Sequence, residues 1–219
     1  MHRTKKLTLA AVAAVALLIG LATPAAAGGP YPLEVTGGTL NTVLGTFDLT
    51  PGSQGTPPCP EKASTLALRT DNDASPAGAN RWSVGGTFSG QFRLGTPPAG
   101  PWYQADFTVV ANGTYAANPT PPPDYFLTGT VTVQVRIYEL NPATCLKDTL
   151  KCIIAGRFVI TSGEFNGTLP NSAVGDTAVL DGSTGVPGGL ALVTSSCSAP
   201  FVAANGSNAT LVDLTMEHV

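Results

Sequence analysis

Long stretches of this chain alternate apolar and polar residues with a period of two. From Trp82 to Leu94 the even positions hold Trp, Val, Gly, Phe, Gly, Phe and Leu, with polar or small residues between them. Such alternation sends successive side chains to opposite faces of a β-strand, so that only one face is apolar. The pattern recurs from Tyr103 to Tyr115 and from Tyr125 to Ile137. The sequence therefore predicts three long antiparallel strands that each bury one face.

Shorter segments of strand character lie on both sides of these three strands. The dipeptide Asn112-Gly113 is typical of a hairpin turn, but the alternation continues through it and favours one unbroken strand. We expect an all-β fold, either an antiparallel up-and-down β-barrel or a strongly curved β-sandwich with long central strands. The further strands are predicted at residues 33–35, 40–50, 65–69, 152–165, 176–180, 190–196 and 209–217, with turns at Asp181-Gly182 and Asn205-Gly206.

Glycines on the apolar face of the first long strand favour a curved sheet, because large side chains of the neighbouring strand can cover them. We expect the first two long strands to form a hairpin in which Phe107 lies opposite Gly90 and Tyr115 lies opposite Trp82. This register keeps the apolar faces of both strands on one side of the sheet.

The first 27 residues have the composition of a secretory signal peptide. Basic residues precede an apolar run from Leu7 to Ala22, and Ala25-Ala26-Ala27 form a small-residue cleavage site before Gly28. We therefore expect a signal peptide at residues 1–27 and a single all-β domain at residues 28–219. The leader and the Ala/Gly/Thr/Pro-rich composition are typical of a bacterial protein exported to the extracellular space or the cell envelope, with no membrane anchor after cleavage.

The predicted mature domain is acidic. It contains eight basic and fourteen acidic residues, a formal charge of −6 with histidine neutral, and the basic residues are scattered along the sequence. A protein of this charge is a poor partner for nucleic acid, so we expect no nucleic-acid binding.

The mature chain contains an even number of cysteines, which in an exported protein predicts two disulfides. Cys145 and Cys152 lie on either side of a short segment between two predicted strands, so we expect them to form a local bridge and Cys59 to pair with Cys197. A zinc site needs closer cysteine pairs or supporting histidines, and His218 is the single histidine of the mature chain. We expect neither a metal nor a cofactor.

The sequence offers little for catalysis. His218 is expected to lie in solvent near the end of the chain, which disfavours a histidine-assisted nucleophile. Glu139 and Glu164 would lie about 40 Å apart along neighbouring strands, too far for a glycosidase pair. Asp106 is expected to form a cross-strand ion pair with Arg136. We therefore expect a non-enzymatic domain, with a carboxylate-based, glycosidase-like hydrolase and a pore-forming or surface-assembling barrel as alternatives.

One end of the predicted meander collects aromatic and charged residues. The loop at residues 95–101 and the cysteine-containing loop at residues 141–151 leave the sheet at the same end. Rings and charges on a rigid rim suit the recognition of an unknown small ligand or of an extracellular or envelope protein. In the alternative interpretation, Trp102 and Tyr103 only cap the core. The candidate binding residues are Arg93, Trp102, Tyr103, Tyr138, Glu139, Lys147 and Asp148.

Overall fold

The computed structural model describes residues 26–43, 45–50, 58–60, 64–72, 80–93, 100–201 and 205–219. All the strand pairs are antiparallel and the described residues contain no helix, so the predicted all-β class is confirmed. Most of the predicted signal peptide lies outside the described residues. The strands are β1 (Ala26–Thr42), β2 (Gly45–Asp48), β3 (Leu66–Asn72), β4 (Arg81–Arg93), β5 (Trp102–Ala117), β6 (Tyr125–Asn141), β7 (Leu146–Asn166), β8 (Thr177–Ser183), β9 (Leu190–Ser195) and β10 (Thr210–His218).

Eight of the strands close into a ring. Their order is β1-β3-β4-β5-β6-β7-β8-β10, and β10 pairs with β1 to complete it. The ring is not a regular barrel, because β1 pairs with β3 through residues 26–33 and with β10 through residues 33–41, so the two pairings overlap only at Leu33. β2 and β9 lie outside the ring and pair with β1 and β7. The expected curved, antiparallel sheet is therefore present.

The central meander β4–β7 continues beyond the ring at one end. β3 pairs only with residues 81–85 of β4, and β8 pairs only with residues 159–166 of β7. β7 pairs instead with β9 through residues 153–157. We call this part of the meander the extended end, and it comprises residues 86–93, 102–109, 133–141 and 146–158.

Aromatic rings fill the interior of the extended end. The ring of Phe88 stacks on that of Phe107, with 4.5 Å between their centroids, and these residues lie directly opposite each other. The predicted register, with Phe107 opposite Gly90, is therefore wrong by two residues. Alternation restricts the register to steps of two, and the intervening turn selects among those steps. Tyr103 packs edge-on against Phe201, with 5.3 Å between ring centroids, so the C-terminal segment also contributes to this core.

At the other end of the meander, two glycines allow neighbouring backbones to approach closely. β5 continues through Asn112-Gly113, as predicted, and Gly113 lies opposite Gly129. A Cβ atom on Gly113 would overlap the carbonyl oxygen of Thr128, and Gly129 has a φ of 142°. The indole N–H of Trp82 donates to the carbonyl oxygens of Thr114 and Thr128, at 3.1 and 3.2 Å. The indole thus bridges β5 and β6 beside the two glycines, which have no side chain to obstruct it.

Two turns and the start of β7 differ from expectation. Asp181-Gly182 lies inside β8, where Gly182 is buried, so the turn predicted there is wrong. The turn at Asn205-Gly206 is present. Residues 146–151 form the first part of β7 rather than a loop. The β6–β7 connection is therefore a short turn at residues 142–145.

The two disulfides join Cys59 to Cys145 and Cys152 to Cys197. Two bridges were expected, but the predicted pairing is wrong. Because residues 146–151 are extended, Cys145 and Cys152 are separated by about 23 Å along one strand, at about 3.3 Å per residue. Disulfides need Cα atoms within about 7 Å of each other. Two such bridges fit an oxidising compartment.

Tryptic mapping of the oxidised protein tests this pairing. Trypsin cleaves after Lys147 and Lys151 and so separates Cys145 from Cys152. We expect fragment 137–147 to be linked to the Cys59 fragment, and fragment 152–157 to the Cys197 fragment, in mass spectra recorded without reduction. A linked pair of fragments 137–147 and 152–157 would contradict the observed connectivity.

A matched pair of glycine substitutions tests the close strand approach. Gly113→Ala should lower the free energy of unfolding by about 3 kcal/mol or more, because the added methyl meets backbone rather than a mobile side chain. Gly90→Ala is the control, since a Cβ there would meet no atom within 4 Å, and it should change stability by less than about 1 kcal/mol. Urea unfolding followed by tryptophan fluorescence measures both, and equal midpoints would refute the packing described.

Candidate functional site

The seven candidate residues all lie at the extended end, but they do not share one face. Trp102 belongs to a small apolar cluster outside the sheet, whereas Tyr103 belongs to the main core. Arg93, Tyr138 and Lys147 accompany Trp102 on the outer face. Glu139 lies opposite Tyr103 on the inner face, and Asp148 is exposed on β7. The candidate residues thus divide between two surfaces.

A row of outward side chains crosses four strands. Arg93 lies opposite Trp102, Trp102 lies opposite Leu140, and Leu140 lies opposite Lys147. The guanidinium carbon of Arg93 is 4.1 Å from the centroid of the Trp102 ring. This distance is typical of a cation–π contact, which fixes the arginine against the indole.

The Cys59 segment covers this row and is fixed there covalently. Cys59 is bonded to Cys145 in the β6–β7 turn, and it packs with Trp102 and Leu140. The side-chain amide of Gln91 donates to the Cys59 carbonyl oxygen at 3.0 Å. We call this assembly the clamp. Because Trp102 is only 7% exposed, its ring is part of the clamp and is not a platform for a ligand.

A polar network adjoins the clamp on the outer face. The Lys147 ammonium contacts the Asp106 carboxylate and lies 5.0 Å from the centroid of the Tyr138 ring. Gln104 donates to Asp106 Oδ1 at 2.7 Å. Asp106 therefore pairs with Lys147, and the predicted ion pair with Arg136 is wrong although the two residues are cross-strand neighbours. Irregular pairing between β6 and β7 near Tyr138 accompanies the approach of Lys147.

The inner face at this end holds a second ion pair. Lys151 Nζ is 2.7 Å from Glu139 Oε2, and the hydrogen bond to Glu139 raises the pKa of Lys151. Burial raises the pKa of the Tyr103 hydroxyl, and the nearby Glu139 charge raises it further. The rim of the core is therefore a neutral tyrosine beside a lysine–glutamate pair.

The remaining candidates for chemistry are far apart or enclosed. Glu164 lies opposite Phe126, thirteen residues along β6 from Glu139, which corresponds to about 43 Å at 3.3 Å per residue. His218 is 8% exposed, so its predicted place in solvent is wrong. The reason is that β10 pairs with β1 as far as His218, whose Nδ1 lies 3.1 Å from Ser172 Oγ.

No group of three or more histidine, cysteine, aspartate or glutamate side chains suited to a metal ion occurs among the residues that the structure describes. Ser172, the hydrogen-bond partner of His218, is itself only 7% exposed. The contact between Ser172 and His218 is thus enclosed and is not accessible to a substrate.

Several residues of the outer surface were not predicted from the sequence. Gln91 and Gln104 occupy polar positions of the alternation, and such positions are typical of solvent-facing residues. Both are buried, at 8% and 7% exposure, because the Cys59 segment and neighbouring side chains cover them. The cysteines were the available signal, since a bridge from Cys59 to the β6–β7 turn requires this segment to cross the sheet.

No protein-family model matches the chain, and the searches of curated proteins and of solved structures found no match. Within the described part of the chain, no helix has the length and apolar character needed to cross a membrane. Function must therefore be inferred from the chemistry of the surfaces.

Two buried tyrosines predict a loss of stability at alkaline pH. Burial raises the pKa of both Tyr103 and Tyr115 above the ordinary value of 10.0, so the folded protein holds these protons more tightly than the unfolded chain. Their contribution to stability is complete below about pH 10 and is lost as the pH rises through the folded-state pKa values.

The variant Tyr115→Phe isolates this effect, because the Tyr115 hydroxyl is buried and has no hydrogen-bond partner among the described residues. At pH 7 we expect its free energy of unfolding to be equal to that of the parent protein or higher by up to about 1 kcal/mol. Its stability should fall less steeply above pH 10 in urea titrations. A decline as steep as that of the parent protein would contradict the assignment.

Proposed function

We propose that this protein is a secreted, non-enzymatic β-domain that acts as a binding or structural module of the extracellular space or the cell envelope. The clamp is the observation that supports this proposal. The main core is closed by the inner faces of the strands, so the separate cluster of Cys59, Trp102 and Leu140 on the outer face contributes little to it. A covalently fixed outer surface is instead typical of a preorganised contact site.

An exposed leucine beside the clamp gives this site an apolar contact. Leu150 is 37% exposed and is the cross-strand partner of Tyr138 on the outer face. Leu146 is 65% exposed but points to the other face of the sheet from Lys147, because the two residues are successive in β7. We call Tyr138, Lys147 and Leu150 the clamp surface. Aromatic and aliphatic side chains around a fixed cation suit a partner that offers both apolar and hydrogen-bonding groups.

The clamp surface is already ordered before any partner binds. Lys147 is held by the Asp106 carboxylate and by the Tyr138 ring, and the β6–β7 turn is fixed by the Cys59–Cys145 bridge. Binding therefore costs little conformational entropy at these residues. The partner class that we propose is a small ligand or an extracellular or envelope protein.

The placement of the acidic groups at the extended end favours binding over hydrolysis at this site. A glycosidase of the usual kind needs two carboxyl groups on either side of one bond, about 5 to 9.5 Å apart. Asp106 contacts Lys147 on the outer face, and Glu139 contacts Lys151 on the inner face. Because the sheet itself lies between them, these two carboxylates are badly placed to act on one bond.

Co-sedimentation with insoluble cell-envelope material from the source organism tests the proposal. The mature protein should be retained, and Leu150→Asp should reduce retention about tenfold or more, because it places charge in an apolar contact. The matched control is Val212→Asp, at a site 38% exposed on β10, a strand that pairs with neither β6 nor β7. The control should be retained as well as the parent protein.

Three results would overturn the proposal. They are absence of retention by both the envelope material and immobilised secreted proteins, equal loss of retention in the Leu150→Asp and Val212→Asp variants, and time-dependent release of reducing sugar from envelope glycans. The last result would favour the hydrolase alternative. Circular dichroism of each variant establishes that it is folded.

A further inference from the structure

The basic residues of this chain are confined to part of the fold. All eight basic residues of the predicted mature domain lie between residues 62 and 157, so β1, β2, β8 and β10 contain no lysine or arginine. Acidic residues are present on all four of these strands. These four strands are therefore acidic with no lysine or arginine of their own, whereas β6 and β7 carry charges of both signs.

The acidic wall is the outer surface of β1, β8 and β10, and its residues are Glu34, Asp181, Asp213 and Glu217. Their immediate neighbours Leu33, Leu180, Leu214 and Met216 are buried, so the acidic side chains point outward. Glu34 lies directly opposite Glu217 across the β1–β10 pair. Like charges in this position repel each other and lower stability. This wall thus carries a negative charge that its own strands do not balance.

The basic wall lies on the outer surface of β5, β6, β7 and β9. Arg136 is exposed on β6, and Arg157 on β7 donates a hydrogen bond to the Gly188 carbonyl oxygen, which orients its guanidinium. Neither arginine forms an ion pair with an acidic residue within the described ranges. The surrounding aliphatic residues are more than half exposed, and they are Val110 (52%), Leu190 (58%) and Val193 (52%).

This surface has the composition of a protein interface. Val110 and Arg157 lie opposite the same residue of β6, Thr132, and Arg157 lies opposite Leu190. Arg157 is thus flanked by aliphatic side chains, whereas Arg136 lies between Asp106 of β5 and Ile153 of β7. Arginine is enriched at interfaces, where its planar group binds carboxylates through two hydrogen bonds and its stem packs on apolar neighbours.

The two walls lie at different places on the molecule. Arg136 and Arg157 belong to the extended end, which continues beyond the ring. Glu34 and Glu217 lie where β1 pairs with β10 within the ring. Within the described residues, neither arginine forms an ion pair with the acidic wall.

We propose that the acidic wall of one copy docks on the basic wall of a second copy. The partner is identified by charge complementarity, since the second copy offers two arginines that form no ion pair within the described residues, where the first offers unbalanced carboxylates. Such a contact joins two different surfaces, so it repeats and gives open chains or rings rather than a two-fold dimer. It uses none of the clamp-surface residues, but Arg136 adjoins that surface, because it lies opposite the Asp106 that holds Lys147.

Sedimentation velocity of the oxidised mature protein tests this assembly. At about 0.02 M NaCl the weight-average mass should rise with concentration to at least about twice that of the monomer, because the contact is heterologous. At about 1 M NaCl, where the Debye length is only about 3 Å, the protein should be monomeric. Glu34→Lys/Glu217→Lys and Arg136→Glu/Arg157→Glu should each be monomeric at both salt concentrations.

Mixing the Glu34→Lys/Glu217→Lys variant with the Arg136→Glu/Arg157→Glu variant gives the decisive result. The reversed wall of each variant complements a wall of the other, so an equimolar mixture should associate at low salt although neither variant does so alone. Arg69→Glu/Arg81→Glu is the matched control, because it changes the same number of charges at exposed sites on β3 and β4. This control should associate like the parent protein.

Defined outcomes would refute the assembly. A parent protein that is monomeric at low salt up to about 1 mM, association unaffected by salt, or a mixture that stays monomeric each excludes the proposed contact. Arg136→Gln/Arg157→Gln removes the charges without reversing them, and it should also be monomeric. This variant keeps the test decisive if Arg157→Glu fails to fold.

Discussion

The pleat of the β-strand sends successive side chains to opposite faces, and the core, the clamp and the charged walls all depend on this constraint. In β5 it directs Tyr103 into the core and Trp102 to the outer surface, although the two residues are adjacent in the sequence. In β6 it separates Glu139 from Tyr138 in the same manner. Any chemistry at the extended end must therefore be assigned to one face. A candidate site assembled from neighbours in the sequence combines residues that the sheet keeps apart.

The same periodicity explains which features could be predicted from the sequence. The three long strands, the unbroken path of β5 through Asn112-Gly113 and the antiparallel order β4-β5-β6-β7 follow from local alternation. The register between β4 and β5 did not follow, because alternation restricts it only to steps of two. The pairing of β10 with β1 could not be predicted from the sequence either, since no local pattern shows that His218 lies opposite Leu33. That long-range contact closes the ring and encloses the histidine.

The candidate site illustrates the same division between local and long-range information. Its location at one end of the meander followed from the strand order, whereas its composition depended on the Cys59–Cys145 bridge. Because residues 146–151 continue β7, the local bridge between Cys145 and Cys152 is geometrically impossible, and Cys59 is drawn across the outer face. The Cys59 segment then covers Gln91 and Trp102 on the outer face of the sheet. From the sequence alone, Gln91 is assigned to solvent and Trp102 to the rim of the meander. A single disulfide thus converts part of the outer surface from an exposed face into a covered one.

Ring closure also determines how this molecule can associate with others. An open strand edge offers unpaired N–H and C=O groups to another chain, and the closed ring removes such edges wherever its strands are paired on both sides, which excludes residues 86–93 of β4. On β9, which lies outside the ring, Leu192 N–H donates to the Ser207 carbonyl oxygen at 2.7 Å, and Thr194 N–H donates to Asn205 Oδ1 at 2.9 Å. These bonds occupy groups that edge pairing would require. Where the strands are paired on both sides, association relies on side chains of the outer walls, and forces between charged side chains are screened by salt, unlike the hydrogen bonds of an added strand. The proposed chain of copies and a strand-exchanged aggregate are thereby separable by their response to salt.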